Sequence, residues 1–279
     1  MKRKVMIILT GVLAFVVLSA CGHSNKSANT DGHGGMDHAH HNEHDESESM
    51  GSYKASFSFA SGVVKANEQS NINIQITDSA GKAVNDFELS HEKLMHLIVV
   101  SKDLSYFSHI HPEYQGEGTF SIRTLFPSGG EYKMFVDFVP NGGSSTTLSE
   151  WVNVEGGAKA PETIKADTKL TKSVDRKEIE LTMSSAKANE EVTLTFNILD
   201  AQTKEGISNL EQYLGAVGHV VILSEDAEQY LHVHPMDETA TGPKAEFMTS
   251  FPKSGTYKIW GQFQHDGKVF TVPFVINVN

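Results

Sequence analysis

The sequence predicts an all-β protein with two tandem immunoglobulin-like or cupredoxin-like β-sandwich domains after a disordered, histidine-rich tether. Three observations predict this class. The chain repeats itself at a nearly constant offset, each copy alternates apolar with polar residues, and neither copy has helical periodicity. We therefore predict a signal peptide, a tether, a first domain, a linker and a second domain, at residues 1–20, 21–52, 53–156, 157–174 and 175–279.

The first residues are typical of a bacterial lipoprotein signal. Lysine and arginine at positions 2–4 precede an apolar run from Val5 to Leu18, and Leu18-Ser19-Ala20-Cys21 resembles a lipobox. The run is short for a membrane span. Because Cys21 is the only cysteine, an internal disulfide is excluded. We expect lipidation of Cys21 and an extracytoplasmic protein anchored to the cell membrane.

The charge balance narrows the range of partners. The formal net charge is −12, with the acidic residues spread along the chain, so nucleic acid is not an expected partner. An acidic surface modestly favours cations over anions. The expected partners are the membrane, through the lipid anchor, and a metal ion, and another envelope protein is a further candidate.

Residues 22–52 form the tether. They contain glycine, serine, asparagine, acidic residues and histidine, without apolar periodicity, which is a composition that does not support a packed core. Imidazoles in a flexible tract bind divalent metals loosely, although a solvated spacer would have a similar composition. The densest tract, at 31–45, has five histidines: His33, His38, His40, His41 and His44.

The remainder of the chain is a duplication. The motif Lys-Ala-Asn-Glu at 65–68 recurs at 187–190, histidines 96, 109 and 111 recur at 219, 232 and 234, and the Phe-Pro motif at 126–133 recurs at 251–258, with offsets of 122, 123 and 125 residues. The domain boundary lies in the small-residue stretch at 156–161, which contains a proline and is typical of a linker. In the first copy the period-two pattern predicts seven strands, at about 53–59, 70–77, 95–100, 106–111, 118–125, 131–138 and 149–155.

The spacing of the histidines predicts that they converge. A polar stretch after Val100 predicts a hairpin centred between Lys102 and Asp103, which places His96 directly opposite His109. His111 returns to the same face by the period of two. In the second copy the same spacing places His219 opposite His232, with His234 beside them.

Three converging imidazoles per domain predict one metal site in each, because a metal–nitrogen bond of about 2.0–2.1 Å is within their reach. A structural or pH-sensing histidine cluster is the alternative. Weaker candidates for a further ligand are Asp137, which interrupts an apolar run, and the histidines His265 and His91.

The segments Met95–Val100 and Asp103–Pro112, with Phe126-Pro127 and Gly130-Glu131-Tyr132 after them, resemble secreted YtkA-like domains, and more loosely copper-binding sandwiches of bacterial envelopes. The resemblance covers both copies and implies an immunoglobulin-like fold, an envelope location and a link to copper or another metal. Few methionines lie near the histidines, so imidazole-favouring Cu(II) or Zn(II) is the expected ion.

The leading functional hypothesis is a non-enzymatic lipoprotein that buffers, captures or delivers a metal ion. A cupin-like two-domain metalloenzyme is the first alternative, because acids at 113, 117 and 238 follow the His-x-His motifs; tyrosines 132 and 257 stand where a cupin has its further histidine. The second alternative is an envelope protein-interaction module whose histidines are structural or sense pH.

Overall fold

The computed structural model describes residues 53–279, apart from the side chains of His232 and His234. Cys21 and the five tract histidines therefore lie outside the described residues. Within the described range every regular element is a β-strand, and no helix there could cross a membrane. The all-β, immunoglobulin-like class predicted from the sequence is confirmed.

The strands fall into two groups. In the first they are β1 (Tyr53–Phe59), β2 (Gln69–Asp78), β3 (Phe87–Glu88), β4 (Met95–Ser101), β5 (Phe107–Ile110), β6 (Glu113–Gly116), β7 (Thr119–Leu125), β8 (Gly130–Pro140) and β9 (Thr146–Val154). In the second they are β10 (Thr171–Val174), β11 (Lys177–Met183), β12 (Glu191–Asp200), β13 (His219–Ser224), β14 (Tyr230–Pro235), β15 (Lys244–Ser250), β16 (Gly255–His265) and β17 (Lys268–Val278). We call β1–β9 the first repeat and β10–β17 the second repeat.

Alternating side chains build the core of each repeat. On β2, Ile72, Ile74 and Ile76 are fully buried while their neighbours reach the other face. β12 repeats this pattern with valine, leucine and phenylalanine. Because successive strand residues point to opposite faces, this alternation places one apolar face inside each sandwich.

The first repeat has two sheets. One has the strand order β1-β2-β7-β6, and the other has β3-β8-β4-β5, with β9 also pairing β8. In the second repeat all eight strands are hydrogen-bonded in one series, β10-β11-β12-β15-β14-β13-β16-β17. The link arises where β14 pairs β15 through His234–Met248 and Pro235–Phe247.

β4 and β13 are buried on both faces. Leu97 and Val99 point into the core of the first repeat, whereas Ile98 and Val100 join a cluster drawn from both repeats. The remaining fully buried members of that shared cluster are Leu104, Phe135, Val221, Leu223, Ala227 and Trp260. The repeats therefore pack together through the outer faces of these sheets, and uninterrupted apolar strands are the sequence signature of such two-sided burial.

The contacts across this interface are reciprocal. Lys133 Nζ donates to Ala227 O at 2.8 Å, and its counterpart Lys258 Nζ donates to Leu104 O at 2.8 Å. Two aromatic pairs cross the interface in the same reciprocal way. Their ring centroids are 4.7 Å apart for Phe107–Trp260 and 5.2 Å apart for Phe135–Tyr230. Each contact thus recurs with the two positions exchanged between the repeats, which is an approximate two-fold relation.

Candidate metal centre

Two hairpins, β4–β5 and β13–β14, bring the histidines to the interface. The predicted direct pairing of His96 with His109 is wrong, because His109 pairs with Ile98. The predicted pairing of His219 with His232 is wrong by the same two residues, because His232 pairs with Val221.

The hairpin loop explains the difference. Ser101 N donates to Tyr106 O and Leu104 N donates to Ser101 O, so four residues, not two, form the loop. Leu104 has a positive φ of 53°, and the Asp103 carboxylate accepts from Ser101 Oγ and Ser105 N. A shift of two residues leaves each histidine on its predicted face, because side chains alternate with a period of two.

The three predicted histidines of the first repeat do come together. His96 Nδ1 lies 2.9 Å from His109 Nε2. The His111 ring centroid lies 5.0 Å from that of His96 and 4.7 Å from that of His109. His111 also lines a polar cleft of about 620 Å³, and its buried Nε2 has no hydrogen-bond partner among the described residues.

The second repeat contributes to the same cluster. The His219 ring stacks on His96 with centroids 5.5 Å apart and lies 4.8 Å from His109. Ligand atoms of His96, His109 and His219 all lie within 4.8 Å of one another. The sequence predicted His219 for a separate site, but the packing of the two hairpins places it beside His96 and His109. The side chains of His232 and His234 are outside the described part of the structure.

Hydrogen bonds at the outer nitrogens orient two rings. His96 Nε2 donates to Ser90 O at 2.9 Å, and a carbonyl oxygen only accepts. His109 Nδ1 donates to Gln262 Oε1 at 2.7 Å, while Gln262 Nε2 donates to Thr271 Oγ1. The facing nitrogens of the two rings, His96 Nδ1 and His109 Nε2, are within hydrogen-bond distance of each other.

Burial keeps the cluster neutral. Desolvation, followed by the charge of His96, lowers the pKa of His109 to about 3, although the hydrogen bond to Gln262 opposes this. Desolvation, followed by the charges of His96 and Lys93, lowers the pKa of His111 to about 4. Neutral imidazole is the form that binds metal, so at pH 7 both rings are in the binding form.

Asp137 and Gln262 occupy equivalent positions beside the cluster. Asp137 on β8 pairs with His96 on β4, and Gln262 on β16 pairs with His219 on β13. Asp137 is 4% exposed and accepts from Ser145 Oγ, and after burial its charge is the main cause of the raised pKa of Tyr230. Asp137 therefore borders the three-histidine group without belonging to it.

Gln262 is a site residue that the sequence analysis did not single out. The available signal was a polar side chain inside the apolar segment Ile259–Phe263, the same signal that pointed to Asp137. Its amide orients the His109 ring, and partners that orient metal-binding histidines in this way tune their affinity.

The remaining two weaker candidates fall in different places. The His91 ring centroid lies 5.1 Å from that of His219 and 6.1 Å from that of His96, at the edge of the cluster. His265 instead contacts Asn209 Oδ1 through Nε2 and Asp266 through Nδ1. The structure therefore brings His91 to the site and gives His265 partners outside it.

The fold and the site define a class: tandem immunoglobulin-like sandwiches with a buried histidine cluster where the repeats meet. The chain belongs to the family described as Domain of unknown function (DUF8832), whose model matches residues 47–156 and 172–279. No curated protein matches the chain. The proposed kinship with YtkA-like domains stays a prediction.

Solved structures with similar architecture include bacterial surface proteins. The Escherichia coli adhesin FdeC is 16% identical with a TM-score of 0.27, and the match covers 81% of this chain and 64% of that chain. The Yersinia pseudotuberculosis adhesin InvE is 13% identical with a TM-score of 0.25, covering 82% and 61%. This chain thus spans less than two thirds of either protein. At these identities the likeness concerns the fold alone.

Proposed function

We propose that this protein is a non-enzymatic, lipid-anchored envelope protein that binds Cu(II) or Zn(II) through histidines of both repeats and buffers, captures or delivers the ion. The single observation that carries the proposal is the convergence of three ligand atoms, from His96, His109 and His219, within 4.8 Å of one another. Neutral imidazole nitrogens that converge in this way are ligands that Cu(II) and Zn(II) favour.

A proton is the competing cation, and burial works against it. The His109 ring that would take the proton has its pKa lowered to about 3, so it is unprotonated at neutral pH. Copper and zinc ions bind neutral imidazole directly. The outer hydrogen bonds to Ser90 and Gln262 hold the two rings with His96 Nδ1 and His109 Nε2 facing each other.

The distances suit one ion with small adjustments. Two nitrogens at about 2.0–2.1 Å from one ion are at most about 4.2 Å apart. The ligand atoms of His96, His109 and His219 lie within 4.8 Å of one another. Side-chain rotations that move these atoms by several tenths of an ångström therefore bring all three within bonding distance of one ion. An all-imidazole set favours Cu(II) over Zn(II) by intrinsic affinity.

The location of the group favours binding over turnover. His96 and His219 are 3% and 6% exposed, so little of the three-histidine group is open to a substrate. We therefore propose storage or transfer in place of catalysis. We also propose that the histidines of the tract His33–His44 collect metal ions and that a lipid on Cys21 anchors the protein to the membrane.

The test is calorimetric titration with Cu(II) and Zn(II) of the chain whose five tract histidines are replaced by serine. We expect tight binding that the His109→Ala variant loses and that the matched control His265→Gln keeps, because His265 contacts Asn209 and Asp266 and not the three-histidine group. Dissociation constants no better than about 1 mM for both ions would overturn the proposal.

The second candidate is an envelope protein-interaction module. It is supported by the immunoglobulin-like architecture and by a cavity of about 390 Å³ beside the β4–β5 loop, lined in part by Tyr106, Tyr132 and Pro161. A pH-sensing role for the histidines fits less well, since the pKa values of His109 and His111, about 3 and 4, lie below mildly acidic pH. Failure of both metal titrations would favour this candidate.

A further inference from the structure

A strained turn borders the histidine cluster. Ser90 and Lys93 exchange two backbone hydrogen bonds, at 2.8 and 3.0 Å, around a two-residue loop. Both loop residues have positive φ, 47° for His91 and 64° for Glu92. Two left-handed residues in succession define a type I′ turn, for which Asn-Gly is the favoured sequence, because side chains with a Cβ are strained there.

The second repeat forms the same turn with a less strained sequence. Tyr213 and Ala216 exchange the backbone bonds, and Leu214 and Gly215 have φ values of 56° and 77°. Glycine removes the Cβ penalty at the second loop position. The fold therefore accepts glycine at this turn, and its requirements alone do not explain the His-Glu sequence of the first repeat.

The strained turn acts on the cluster in two ways. Its Ser90 carbonyl accepts the hydrogen bond from His96 Nε2 at 2.9 Å, which aims His96 Nδ1 at His109. It also places the His91 ring edge-on to His219, with centroids 5.1 Å apart and an interplanar angle of 86°.

The two turns also contact each other. A Cβ built on Gly215 would lie 3.4 Å from Glu92 Cγ, so the Glu92 side chain lies against the opposite turn. The turn that carries His91 is thus held between the Ser90–Lys93 bridge at its own base and the second repeat. Such support from both sides is what allows a strained backbone to persist at a functional position.

We propose that His91 is the fourth imidazole ligand of the metal site, and that the strained turn is kept because it delivers this ligand. The inference rests on the proposed metal binding. Two imidazoles on one ion, with bonds of about 2.0–2.1 Å, have ring centroids roughly 4.5 to 6 Å apart. The centroid of His91 lies 5.1 Å from that of His219, within this range, and 6.1 Å from that of His96, at its upper edge.

The decisive variant is His91→Asn, because asparagine tolerates the left-handed conformation and has no imidazole. In the chain with tract histidines replaced by serine, we expect the number of imidazoles around Cu(II), measured by X-ray absorption and electron paramagnetic resonance, to fall from four to three. We also expect the dissociation constant to rise at least about tenfold. The matched control is Leu214→Asn, at the same turn position of the second repeat, which should change neither measurement.

A companion variant measures the strain itself. Glu92→Gly should raise the melting temperature of the metal-free protein by about 2–4 °C and keep the four imidazoles. An unchanged imidazole count and affinity in His91→Asn would overturn the inference while leaving the metal site intact. If the parent chain bound neither ion, the proposed function itself would fail, and the His91 assignment with it.

Discussion

The two repeats are alike where they pack and unlike where they surround the histidines. At the interface, Lys133 and Lys258 each donate to a carbonyl of the opposite repeat at 2.8 Å. Beside the cluster, the first repeat has Asp137 where the second has Gln262.

The turns differ in the same way, with His91-Glu92 in one repeat and Leu214-Gly215 in the other. Reciprocal packing needs both halves of each contact, so equivalent positions remain matched across the interface. A single ligand site shared by both repeats does not require matched residues. The two equivalent positions lie in different places around one ion, so each can carry a different side chain. The proposed metal site therefore lies where the two repeats have lost their symmetry.

The largest effect is expected at the reciprocal aromatic contacts. Trp260→Ala and Phe135→Ala each remove one ring of a stacked pair in the shared core, and large-to-small changes there cost about 3–5 kcal/mol of unfolding free energy. Urea unfolding of both variants measures the losses. Comparable losses would sharpen the picture of a reciprocal interface, whereas a loss below about 1 kcal/mol in either variant would break it.

The next effect is stabilisation by metal, which tests whether the site is shared. With free ion at about one hundred times its dissociation constant, binding adds about 2.7 kcal/mol to the unfolding free energy. Differential scanning calorimetry should show a higher melting temperature that chelation reverses. His219→Ala should lose the increase although His96 and His109 are intact, and His265→Gln should keep it.

An undiminished metal effect in His219→Ala would place the ion in the first repeat alone. The two repeats would then bind metal independently, as the sequence predicts.

The sequence carries most of the fold because local alternation determines it. The isoleucines of β2 and their counterparts on β12 mark the inward faces directly, and every predicted strand of the first repeat has an observed counterpart. The register of the β4–β5 hairpin was harder to predict from the sequence, because it depends on whether Leu104 adopts a positive φ and Asp103 caps the loop. Neither feature follows from hydrophobic pattern.

The shared site could not be read from spacing within one repeat. Spacing places His96, His109 and His111 on one face, and the structure agrees. The arrival of His219 depends on how the two sandwiches dock. The one available hint was the unbroken apolar run at 97–100, which indicates burial on a second face without naming what covers it.

A pH effect of intermediate size is expected from His109 in the metal-free protein. Its folded pKa of about 3 lies below the ordinary value of 6.5, so below pH 6.5 the unfolded chain takes up a proton that the folded chain does not. The stability present above pH 6.5 is lost as the pH falls toward 3. Between pH 7 and pH 5 the loss is about 2 kcal/mol.

Urea unfolding at the two pH values measures this loss in the parent chain and in His109→Gln. The variant lacks the titrating ring, so its stability should depend less on pH by about that amount. An equal pH dependence in both proteins would show that His109 is not the buried, desolvated ring that the interface requires.

The smallest effect is expected at the unlike pair, Asp137 and Gln262. Gln262→Ala removes the acceptor that orients His109, and the loss of such a partner should weaken metal binding by about tenfold. Asp137→Asn keeps the shape of the side chain and removes a charge that is not among the three ligands, so it should weaken binding less. Competition titrations against a chelator of known affinity rank the two variants. Equal losses would mean that both repeats support the ion alike, and the asymmetry would then be confined to the turn that carries His91.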